Sequence, residues 1–131
     1  MAVPNISTDE LSLIKSWLML VFIRKVFERD SRILMSSGVL KSPDVYVDMI
    51  ASGADRVAVV MKEIQNDFTK SKIKIYEVNQ SQQGIEAKYL CRGSRGEMRI
   101  LWSALRSEMP SRMRAYLGVQ PSTLNEQLSP I

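Results

Sequence analysis

Five consecutive residues, Arg92-Gly93-Ser94-Arg95-Gly96, are the stretch of this sequence best equipped for chemistry. Glycines let backbone amides close on an anion, Ser94 adds a hydroxyl, and two guanidinium groups offer forked donors that match phosphate oxygens. Lys72, Lys74, Lys88 and Arg99 extend the group, with Lys72 and Lys74 expected on one strand face and Lys88 and Arg92 on another. The candidate anion or nucleic-acid site is therefore Lys72, Lys74, Lys88, Arg92, Ser94, Arg95 and Arg99, a set suited to tracking a phosphate backbone by charge rather than reading bases. The competing account is plain turn chemistry, with lysines guarding exposed strand edges. No Walker or dinucleotide spacing accompanies the stretch.

Other reactive groups are sparse. The chain has no histidine, which removes the commonest general base and transition-metal ligand, and with them triad hydrolases and His-based zinc sites. The lone Cys91 alternates with Tyr89 and Ala87 on an apolar strand face, where a thiol packs as a small hydrophobe. Asp44 and Asp48 stand at i, i+4, but a helix start explains the first and a solvated face the second, and a magnesium ion asks for more oxygen ligands. No catalytic residue, metal site or cofactor follows, and the expectation is a non-enzymatic protein.

At 131 residues the chain has the length of one domain, and 45% hydrophobic with 24% charged residues is ordinary globular composition. Its net charge of +4 is uneven: residues 1–67 carry 8 basic and 9 acidic groups, residues 68–131 carry 10 and 5. A basic second half points to an anionic partner. The opening residues lack the pattern of a signal peptide, Lys15 and Arg24 bracket too short an apolar run to span a bilayer, and a single cysteine suits a reducing compartment. A cytoplasmic protein without membrane contact is expected.

The elements that must position these residues begin with a long helix over 8–35. Ser7 and Glu10 have capping-box spacing, Ile6 and Leu11 fit a hydrophobic staple, and Trp17 to Ile23 is apolar on every side. A second helix starts at Ser42-Pro43-Asp44 and carries apolar residues at helical spacing to Phe68, with Gly53 a bend or a close backbone approach. The period then changes. Ile73 to Val78 reads as a first strand, Asn79 to Gly84 as a turn, Ile85 to Cys91 as an alternating second strand, and 97–102 as a third with Met98, Ile100 and Trp102 inward. The alternative over the last stretch is a helix opening at Ser94 and running through Ser107. A final helix is expected from Ser107 to Leu117, with Pro110 in its first turn and Gly118 closing it.

The expected fold class is α+β: a long N-terminal helix and a second helix packed on a small three-stranded antiparallel meander, with a C-terminal helix. Residues 1–118 form a single globular domain and 119–131 a flexible tail, whose Leu124 and Leu128 are spaced to dock on a partner. The first helix has more apolar surface than these elements comfortably cover, so a homodimer through Leu18, Val21, Phe22 and Phe27 is expected. The functional expectation is a small regulatory or interaction protein whose dimer offers its basic half to nucleic acid. A protein-binding adaptor, inhibitor or assembly subunit without nucleic-acid contact is the alternative.

Overall fold

A computed structural model describes residues 6–119. The elements run α1 (Thr8–Ser36), α2 (Pro43–Ser71), β1 (Ile73–Gln80), β2 (Gly84–Cys91), β3 (Ser94–Leu101) and α3 (Trp102–Leu117). This is the expected α+β class, with the strands in the order β1-β2-β3 and both pairings antiparallel. The tail beyond Val119, with Leu124 and Leu128, lies outside the described residues.

Local sequence accounts for the helix limits. At α1 the capping box is complete: the Glu10 amide donates to Ser7 Oγ at 3.1 Å and the Ser7 amide to Glu10 Oε1 at 2.9 Å. Pro43 opens α2, while Ser42 takes the preceding position without a side-chain cap bond. The helix runs unbroken through Gly53, because what Gly53 provides is space rather than a bend. A Cβ there would stand 2.8 Å from Leu117 Cδ2 and 3.4 Å from the Tyr116 carbonyl oxygen, so the end of α3 rests on this point.

Two boundaries differ from expectation. α2 extends to Ser71, and Lys72 is its left-handed C-cap at φ 57°, so Lys72 does not share a strand face with Lys74. Further on, Trp102 ends the alternation of β3 and opens α3, which therefore starts five residues before Ser107 and holds Pro110 in its interior. Three contacts fix that switch. The Trp102 backbone amide donates to the Gln83 carbonyl at 3.0 Å, its indole Nε1 donates to the Ser81 carbonyl at 2.8 Å, and its ring meets Phe22 edge-on at 5.2 Å. The helix reading from Ser94 is excluded, since 94–101 pairs residue by residue with 84–91.

One apolar cluster draws on all six elements, including Ile14, Leu18 and Phe27 of α1, Val57 and Phe68 of α2, Ile73, Ile85, Tyr89 and Ile100 of the sheet, and Leu105 of α3. The all-round apolar middle of α1 is core. Of the dimer surface read from sequence, Leu18 and Phe27 are interior, only 1% and 2% exposed, while Val21 and Phe22 are half-buried against the same cluster. Gathering α2, α3 and the sheet around one helix covers more apolar area than any pairwise estimate from periodicity. Among the described residues, no helix is long and apolar enough to cross a membrane.

Candidate functional site

The turn expected to cradle an anion is smaller than Arg92 to Gly96. Cys91 pairs with Ser94, so the hairpin loop is Arg92-Gly93 alone, with φ of 49° and 86° as a type I′ turn requires. Ser94, Arg95 and Gly96 belong to β3. Gly96 lies opposite Tyr89, and a Cβ there would fall 2.4 Å from the Tyr89 ring, so this glycine makes room for a core aromatic instead of offering an amide to a ligand.

Arg92 is committed to structure. Its guanidinium donates to both Glu10 carboxylate oxygens, at 2.8 and 3.0 Å, and to the Ser71 carbonyl at 2.9 Å, while its backbone amide donates to the Lys72 carbonyl. It thereby ties the start of α1, the end of α2 and the β2–β3 turn together. The Arg92 hydrogen bonds hold the Glu10 carboxyl down to about 2, with help from the Ser7 amide. Reciprocally, Glu10 raises Arg92.

The remaining basic candidates sit on the outward face of the sheet among acidic neighbours. Lys88 stands between Glu77 and Glu97 in the register and forms an ion pair with Glu77 at 3.2 Å, which raises the lysine above its ordinary value. Arg99 pairs with Glu86 at 3.0 Å. Lys74 and Arg95 flank Leu90 in the third row. A bulge at Tyr76 shifts the register of β1 and is what brings Glu77 opposite Lys88. Across the three rows, Lys74, Lys88, Arg95 and Arg99 face Glu77, Glu86 and Glu97, a nearly balanced mosaic. Of the seven predicted residues, Lys72 and Arg92 share a recess of about 580 Å³, lined also by Lys70, Ser71 and Gly93.

The opposite end of the molecule carries the larger anomaly. α1 and α2 have 29 residues each, about 44 Å at 1.5 Å per residue, whereas each strand has 8 residues and α3 has 16. Among the described residues, α3 ends against Gly53, and the last two turns of α1 and the first two of α2 extend beyond it. The hairpin tip therefore exposes a run of large apolar side chains: Val39 is 81% exposed, and Ile33, Met35, Val45, Tyr46 and Met49 about half. Leu34, Leu40, Tyr46, Met49 and Ile50 line a recess of about 310 Å³ within this patch.

A family model described as YhjD protein matches residues 5–121, nearly the whole chain. The chain belongs to this family. No curated protein and no solved structure matches it.

In this family member the hairpin tip escapes a reading of the sequence alone. Tyr46 and Ile50 continue the helical spacing of the buried Gly53, Val57, Met61 and Ile64, yet Tyr46 is half exposed, while Val45 and Met49 fall on the flank shared with the exposed Ser52, Arg56 and Val59. Periodicity identifies which side of α2 is apolar, not how far along the helix its cover extends. The one available signal was length, since two helices of this size outreach three short strands. Cys91 lies where its alternation puts it, fully buried, and burial pushes its thiol up and away from the reactive thiolate.

Proposed function

We propose that this chain is a non-enzymatic, cytoplasmic interaction protein that works by docking a protein partner on the apolar tip of the α1–α2 hairpin. The observation that carries this reading is the tip itself, which keeps Val39, Val45, Tyr46 and Met49 in solvent while a complete core lies a few turns away. Exposed contiguous apolar surface costs stability and invites aggregation, so its retention around a recess is the signature of a docking face. A photo-crosslinking residue at position 46 should yield protein adducts in the native host, and one at position 95 on the sheet face should not. Adducts from 95 without adducts from 46 would overturn the assignment.

The recess lined by Lys70, Lys72, Arg92 and Gly93 favours anion or nucleic-acid binding as a second reading. Two opposing charges weaken it, namely the negative end of the α2 dipole and Glu10, which already occupies Arg92. Under this reading Lys70 and Lys72 would give duplex DNA binding a steep salt dependence, and their replacement by alanine would flatten it.

A further inference from the structure

We propose that the residues following α3 fold over the tip recess of their own chain and seat Leu124 and Leu128 in it, so that a docking partner must displace them; the competition rests on the docking role proposed above. The geometry starts at the exit of α3. Arg56 Nη1 donates to the Tyr116 carbonyl and Leu117 rests on Gly53, so the last turn of α3 is fastened to α2. Gly118 then turns the chain off the helix at φ 78°, with the Val119 amide donating to the Arg114 carbonyl at 2.8 Å. Tyr46, Ile50 and Gly53 stand at i, i+4 and i+7 on α2 and share one stripe of that helix. The stripe on which α3 comes to rest therefore continues into the recess, where Ile50 and Tyr46 are lining residues together with Leu34 and Leu40.

Reach and chemistry select the occupant. At 1.5 Å per residue, Ile50 lies about 5 Å and Tyr46 about 10 Å along the α2 axis from Gly53. Leu124 follows Val119 closely enough in sequence to extend up to about 17 Å from it, which brings it to the recess. The groove lined by Trp17, Phe68 and Ile75 lies the other way along α2, and Phe68, about 22 Å from Gly53 along the axis, is out of reach of Leu124. The sequence of 120–131 suits an apolar recess. Thr123 and Glu126 have capping-box spacing, Leu124 and Leu128 stand one helical turn apart, and Glu126 is the sole charged side chain. Between Pro121 and Pro130 this pattern predicts a short helix with both leucines on one side, the anchor spacing by which an amphipathic helix enters an apolar groove. Tethering beside the recess gives the segment a roughly millimolar effective concentration, so modest contacts seat it and a tighter partner still displaces it.

Methyl NMR of the full chain, labelled at methionine, tests the contact, because Met49 lines the recess and Met19 lies in the core. Leu124→Ser with Leu128→Ser should shift the Met49 methyl resonance and leave that of Met19 in place. An unmoved Met49 resonance would overturn the inference. A wild-type Met49 resonance that itself moves on dilution would give the recess to a second copy and overturn it as well. Photo-crosslinking to other proteins from position 46 tests the competition. With the two leucines replaced, adducts should rise at least about threefold, since the open fraction of the tip grows; adducts at the wild-type level would remove the competition. If Met49 is unmoved while position 46 still forms adducts, the inference about the segment fails and the docking role stands. If Met49 moves and position 46 forms no adducts in either chain, the segment covers the tip and the docking role fails, taking the competition with it.

Discussion

Arg92 illustrates how one side chain can satisfy the chemistry of an anion site and yet be spent on the fold. Its fork closes on Glu10, a residue that also completes the capping box of α1, so the carboxylate serves two elements at once. The linkage has a definite sign. Glu10 lies at about 2 in the folded chain against an ordinary 4.5, so between those values the unfolded chain binds the proton first. Stability from this contact is complete above about pH 4.5 and drains away as pH falls toward 2. Glu10→Gln keeps an oxygen for the Ser7 amide but removes the charge, so its urea midpoint should change less than that of wild type across that window. Arg92→Lys should lower the midpoint at neutral pH, because an ammonium cannot reach two carboxylate oxygens and the Ser71 carbonyl in fixed geometry.

At the level of elements, the junction between β3 and α3 organises the sheet's far end. Trp102 reaches back to the β1–β2 turn through two hydrogen bonds and forward to α1 through Phe22, so the strand becomes a helix without a connecting loop. Trp102→Phe should retain the ring contact and lose the indole bond, costing about 1 kcal/mol. Trp102→Ala should cost about 3 kcal/mol, as both the bond and the packing disappear. Chemical denaturation of the two variants separates these contributions, and equal losses would mean that the hydrogen bond adds nothing. The junction was only half legible beforehand. Trp102 fits the alternation of Met98 and Ile100 and equally the helical spacing to Leu105 and Met109, and Leu101 in the cap position makes no side-chain cap bond to mark the start.

For the molecule as a whole, the position of α1 separates interior from interface. Leu18→Ala should cost about 3 kcal/mol by opening a cavity. That loss should be the same at every protein concentration, because Leu18 belongs to its own chain's core. A loss that grew on dilution, followed by equilibrium unfolding at two concentrations, would return Leu18 to a subunit interface. The tip behaves oppositely. Tyr46→Glu is expected to leave the unfolding free energy of the isolated chain within about 0.5 kcal/mol, since the residue is half exposed and outside the core cluster.

What the sequence by itself determined is the local grammar of this protein. The capping box at Ser7, Pro43 at the head of α2, and the alternation from Ile85 to Cys91 each act within a few residues of chain, so the α+β class and most element limits follow from them. Only the tertiary structure decided which charges are consumed and which apolar faces are covered. Arg92 meets Glu10 across 82 positions of sequence, and the middle of α1 is enclosed by elements that converge from the whole chain. Tyr46 continues the spacing of the buried Gly53, Val57 and Ile64, yet is half exposed, on the side of Gly53 that α3 does not reach. Burial is a property of what arrives from elsewhere, and spacing along one helix carries no record of it.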